Sequence, residues 1–157
     1  MVATEKLNLF CVDGSDICAK AFEWYCSNLH RDGDTIGLVH VYQTPVVPVP
    51  LGAGDNMIYD AGLYDQLLQD AFKTSQHILA KYKSKCTDLN IKHEEFFQHM
   101  NDSVGHTICS IAHEKDAKNI IMGQRGLGVV RRTLLGSTSD YVVHHSHLPT
   151  IIIPHKE

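Results

Sequence analysis

The sequence predicts an α/β domain built on a single open, parallel, five-stranded sheet with helices on both faces. Three observations lead there. Short apolar runs of strand length alternate with longer stretches whose apolar residues recur at helical spacing. The first strand segment is mostly apolar, as a central strand covered on both faces is. Turn-forming residues, Asp-Gly in one case and Gly in the other, follow the first and fourth strand segments. No internal repeat, linker or low-complexity segment interrupts the 157 residues, so one domain spans 1–157. Crossovers between parallel strands are right-handed.

Lys6 to Val12 reads as the first strand. Asp13-Gly14-Ser15-Asp16 then makes a turn and a helix cap. The Asp13 carboxylate has two readings, shaping this turn or meeting a ligand at the strand's carboxyl end. Ile17 to Leu29 is helical, with Cys18, Phe22, Tyr25, Cys26 and Leu29 on one face and Ala21 and Trp24 widening it. Thr35 to Tyr42 is the second strand, in which His40 reads as a strand histidine with a local partner. Gln43 to Gly62 is irregular: Pro45, Pro48 and Pro50 remove backbone donors, and Gly52 and Gly54 loosen the chain.

Tyr64 to Lys85 carries a helical stripe of Leu68, Ala71, Phe72, Ser75, Ile78, Leu79 and Tyr82. Asn90 to Gln98 reads as the third strand, its Glu94 and Glu95 suiting an edge. Asn101 or Asp102 caps the next helix, whose buried face is Val104, Ile108, Ile111 and Ala112. Ile120 to Met122 is the fourth strand. Thr150 to Ile153, between Pro149 and Pro154, is the last.

Between the fourth strand and the last helix lies the most informative segment, Asn119 to Ser139. Gly123, Gly126 and Gly128 follow the strand; Gly136 precedes Ser137, Thr138 and Ser139; and Arg125, Arg131 and Arg132 add positive charge. Glycine allows backbone N–H groups close approach to an anion, and a helix N-terminus supplies unpaired N–H groups. Ser137 could cap the helix or donate to a phosphate oxygen. No Lys-Ser or Lys-Thr follows the glycines, so this is not a Walker A loop, and the third glycine of a dinucleotide fingerprint is missing.

The spacing Gly123, two residues, Gly126, nine residues, Gly136-Ser137 resembles the ATP-binding motif of the universal stress protein family. Val12-Asp13-Gly14-Ser15 and Leu38-Val39-His40-Val41 resemble the same family, and the resemblance covers nearly the whole chain. It implies strand order 3-2-1-4-5, a Rossmann-like, adenine nucleotide alpha hydrolase-like fold. In that order the first and fourth strands are neighbours with a crevice beyond their carboxyl ends. The resemblance further implies ATP as ligand, accompanied by Mg held mainly by phosphate oxygens and water. The implied binding residues are Cys11, Val12, Asp13, Val41, Met122, Gly123, Arg125, Gly126, Gly136, Ser137, Thr138 and Ser139. Val41 would line the adenine pocket. Thr150 to Ile153 would pair with its counterpart in a homodimer. Cys11 is a departure, since family members often carry a small residue or proline there.

Composition narrows the partners. A net charge of −4 without a long basic run favours neither nucleic acid nor an anionic membrane. No apolar run approaches a membrane span, and the first ten residues lack a signal-peptide core, so a cytoplasmic protein is expected. The five cysteines form no Cys-x-x-Cys pair and read mainly as small buried hydrophobes. His144, His145 and His147 cluster in sequence, but neighbouring side chains on a helix diverge, which argues against a metal site. No Gly-x-Ser-x-Gly or His-Glu-x-x-His set appears. The expected function is a nucleotide-dependent stress-response regulator with slow or no hydrolysis. An ATPase or nucleotidyl-transfer enzyme, and a nucleotide-free dimeric interaction module, are the alternatives.

Overall fold

Along β1 (Leu7–Cys11) the side chains alternate between two layers, Leu9 entering one core and Phe10 the other. Both are fully buried, as befits a strand covered on both faces. The computed structural model describes residues 5–44, 61–124 and 135–154. After β1 come α1 (Asp16–Asn28), β2 (Thr35–Tyr42), α2 (Ala61–Asp88), β3 (His93–His99) and α3 (Val104–Glu114). β4 (Asn119–Gly123), α4 (Ser137–His145) and β5 (Thr150–Ile153) complete the order.

All strand pairs are parallel, and the sheet runs β3-β2-β1-β4-β5. β1 pairs with β2 through Leu7–Thr35 to Cys11–Val39, and with β4 through Asn8–Asn119 to Phe10–Ile121. The chain therefore winds outward from β1 in one direction and from β4 in the other. Helices α1 and α2 cover one face. Their Phe22, Tyr25, Leu79, Tyr82 and Cys86 pack with Phe10, Ile36, Leu38 and Ile121. Phe22 sits edge-on to both Phe10 and Tyr82, at 5.1 and 5.2 Å between ring centroids. Helices α3 and α4 cover the other face, with Ile108, Ile111, Ala112 and Val142 against Leu9, Val39, Ile120 and Met122.

Several local expectations are corrected. Trp24 does not join the buried face of α1; it is 43% exposed, and Ala21 fills that side instead. Leu29 is the C-cap and is exposed too. Helix α3 is capped by neither Asn101 nor Asp102. Ser103 takes the extended conformation, and its hydroxyl accepts from His106 N–H at 3.1 Å, while Asp102 turns the chain at φ 45°. Gly62 lies inside α2 rather than in the preceding loop, and Phe72 is exposed despite lying in the predicted stripe. Strand β3 begins later than Asn90, because Asn90 adopts φ 54° in a turn that closes α2. It is an edge strand, as its charges suggested.

Candidate functional site

A crevice of about 760 Å³ opens beyond the carboxyl ends of β1, β2 and β4. It lies where the chain's winding reverses, the position that open parallel sheets reserve for ligands. Of the twelve residues expected there, ten are described, and all ten line it: Cys11, Val12, Asp13, Val41, Met122, Gly123, Gly136, Ser137, Thr138 and Ser139. Arg125 and Gly126 lie outside the described residues, as do Gly128, Arg131, Arg132 and most of the Gln43 to Gly62 stretch.

The floor comes from β1. Its ladder with β2 ends where Val12 N–H donates to the Val39 carbonyl at 2.8 Å. Asp13 then leaves the sheet. Its Oδ1 accepts from Ser15 N–H at 2.9 Å and from the Ser15 hydroxyl at 2.5 Å. Ser15 in turn caps α1 by accepting from Cys18 N–H at 3.2 Å. The turn-shaping reading of Asp13 is thus realised, and it holds the carboxylate at the crevice rim.

The opposite wall is the start of α4. Gly136 is its N-cap, at φ −68° and ψ 158°, with no side-chain cap. Ser137 is therefore not the cap but the first helical residue. It is exposed, and neither it nor Thr138 has a side-chain hydrogen-bond partner among the described residues. Ser139 is buried and donates to the Gly136 carbonyl at 2.9 Å, so it shapes the helix start. The first-turn N–H groups of a helix without a side-chain cap are available to an anion. Gly105 of α3 sets the position of α4, because a Cβ there would stand 2.8 Å from the Tyr141 ring. Gly123 lets β4 approach α1: a Cβ would meet the Ala21 methyl at 3.2 Å.

Hydrophobic surface comes from Val41, Met122, Val104 and Ile108 on the α3 side and from Ile78 on the α2 side. Val104, Ile108, Ser75 and Ile78 were expected only as helix-core positions. Their helical periodicity was visible in the sequence; that the upper ends of those stripes overlook the crevice depends on how the helices cross the sheet.

Burial raises the pKa of the nearby thiols, so they remain protonated at neutral pH. Cys11 is raised mainly by burial and further by Cys18 and Cys109, and Cys18 is raised mainly by burial. Cys86 is pushed up to about 12 by burial in the α1–α2 core. This matches its reading as a small hydrophobe. The histidine rings of α4 turn back on their own helix: His144 and His145 place Nδ1 2.8 Å from the carbonyls of Asp140 and Tyr141. Among the described residues no group of three His, Cys, Asp or Glu converges to hold a metal ion. No helix among them is long and apolar enough to cross a membrane.

Fold and crevice together define an open, parallel α/β protein with a crevice at its topological switch point. The chain belongs to the universal stress protein family, whose family model matches residues 8–154. It is similar to universal stress protein YxiE of Bacillus subtilis, with 27% identity over 146 residues, covering 92% of this chain and 96% of that protein. A universal stress protein of Mycolicibacterium smegmatis is 28% identical over 151 residues; the chain spans about half of its length, 49%, with 96% of this chain covered. Among solved structures, hypothetical protein MJ0577 matches at TM-score 0.76 and 19% identity, covering 99% of both chains. A universal stress protein family protein from Arabidopsis thaliana, solved with AMP bound, matches at TM-score 0.68 and 20% identity, covering 96% of this chain and 92% of that one.

Proposed function

We propose that this chain binds an adenine nucleotide, ATP in its working form, in the switch-point crevice and acts as a nucleotide-dependent regulator. The observation that carries the reading is the convergence on one crevice of an apolar strand-end wall and a helix N-terminus. Val41 and Met122 suit a base, while the α4 amides with Ser137 and Thr138 suit phosphate oxygens. The AMP held by the Arabidopsis relative of the same fold supports the ligand class. Magnesium fits as a companion of the phosphates: the described residues offer no ligand cluster of their own, and Mg usually arrives with phosphate and water ligands. Slow or absent hydrolysis is the form we adopt, because Asp13 Oδ1 is committed to Ser15 rather than presented to a water. The outer strand β5, bonded in this sheet to β4, supports a homodimer formed by edge pairing.

Titration calorimetry with MgATP tests the site. Gly136→Val is the informative variant, because the backbone there is at negative φ and a Cβ would meet only Ser139 Oγ at 3.7 Å. The fold should survive and ATP affinity should fall at least tenfold, about 1.4 kcal/mol, as a branched side chain intrudes on the amide cradle. Unchanged affinity in that variant contradicts the phosphate placement.

A further inference from the structure

Four backbone polar groups at the tip of β1 are held by side chains from three other elements. From β2, His40 places Nδ1 2.8 Å from the Val12 carbonyl. From α1, the Cys18 thiol donates to the Cys11 carbonyl at 3.5 Å and accepts from Asp13 N–H at 3.4 Å. From α2, the Tyr82 hydroxyl donates to the Asp13 carbonyl at 3.4 Å. Sulfur is a weak donor and acceptor and the Tyr82 contact is long, so the short imidazole bond is the strongest of the set.

A carbonyl oxygen can only accept, so Nδ1 of His40 must carry the proton. The ring is stacked on Phe97 at 6.1 Å between centroids and is only 7% exposed, which leaves it little freedom to turn away. The ladder from β1 to β2 stops at the Val12 amide, and the next acceptor in line, the Val12 carbonyl, takes this side chain. The following residue is Asp13.

We propose that His40 is a positioning residue of the nucleotide site: its Nδ1–H bond to the Val12 carbonyl locks the end of β1, and with it Asp13, in the binding arrangement. The inference rests on the adenine-nucleotide reading of the crevice. A rim already held in place does not have to be ordered when the ligand arrives. Without the lock the tip visits other conformations, and apparent affinity falls by the fraction that remains competent.

The test compares His40→Asn with His40→Leu and His40→Gln in MgATP calorimetry, with thermal unfolding alongside. The Asn amide nitrogen sits at the reach of Nδ1, whereas that of Gln sits at the reach of Nε2. His40→Asn should therefore bind within about threefold of the parent, and His40→Leu should lose about tenfold, as loss of a buried hydrogen bond predicts. His40→Gln should behave like Leu, and it keeps a polar side chain should the Leu variant fail to fold. Long-range proton–nitrogen NMR on the parent should show the Nδ1–H tautomer. The proposal is overturned if Asn weakens binding as much as Gln, since Nε2 would then be the nitrogen in use. It is also overturned if the ring is protonated at Nε2 alone, or if Gln binds like the parent. A parent protein that binds no ATP overturns the nucleotide reading and this lock together; a parent that binds while Asn fails to rescue overturns the lock alone.

Discussion

At the scale of single residues, Asp13 shapes a turn at the rim of the crevice. The sequence left its two readings open, and the structure explains why: an oxygen that holds Ser15 also fixes the carboxylate at the rim. Asp13→Asn keeps the accepting oxygen but removes the charge, so its melting temperature should stay close to the parent's. Its ATP affinity should change, by about tenfold if the carboxylate accepts a charge-assisted bond from the ligand. Asp13→Ala should lose the turn as well and destabilise by roughly 1 kcal/mol. The buried thiols make a second prediction. Burial pushes the Cys26 thiol up to about 11 and the Cys86 thiol up to about 12 from an ordinary 9.0, and it raises Cys11 and Cys18 as well. The folded state thus holds protons that the unfolded state releases first. Stability should be insensitive to these groups below pH 9 and should fall as pH rises above it, by up to about 1.4 kcal/mol per pH unit for each thiol. Urea unfolding at pH 8, 9 and 10 measures this; a midpoint that rises across that range contradicts it. Trp24 marks the limit of residue-level reading: helical spacing admits it to the buried stripe, but only the width of the α1–sheet contact decides that it faces solvent.

At the scale of elements, β2 and β5 were legible to their ends, because short, largely apolar runs between turn residues have few other solutions. Helix starts were less so. At α3 the expected caps, Asn101 and Asp102, give way to Ser103, because Asp102 is used in the preceding turn. The Thr107 hydroxyl reinforces that turn, accepting from Asn101 N–H at 2.9 Å. The position of α4 depends on the α3–α4 contact at Gly105 and Tyr141. Gly105→Val should therefore do more than lower helix α3's packing. It should push α4 away, cost roughly 1–3 kcal/mol as overpacking does, and weaken ATP binding although it touches no expected ligand contact. Retained affinity together with parental stability contradicts the view that this contact sets the phosphate wall.

At the scale of the whole molecule, strand order makes the site. Nothing local joins Val12-Asp13 to Gly136-Ser137; they meet because β1 and β4 are neighbours and the chain winds away from them on either side. The resemblance supplied that order, and the alternation of strands and helices alone would have allowed others. What remained illegible was the depth of the crevice, set by α2 and α3 side chains such as Ile78 and Ile108 that look like ordinary core. The same order leaves β5 at an edge. Parallel alternation from the Ile153 carbonyl, which bonds Gln124 N–H, turns the Ile152 N–H to the free side. Ile152→Pro removes that donor, and sedimentation should show the variant as monomer at concentrations where the parent is a dimer. A parent that is itself monomeric contradicts edge pairing.

The most direct test of the central claim is an amide chemical-shift titration of the nitrogen-labelled protein with MgATP. Nucleotide binding in the crevice predicts saturable shifts at Val12, Asp13, Val41 and the Gly136–Ser139 amides together, with a common dissociation constant. Shifts confined to another surface, or none at these amides at saturation, would contradict it.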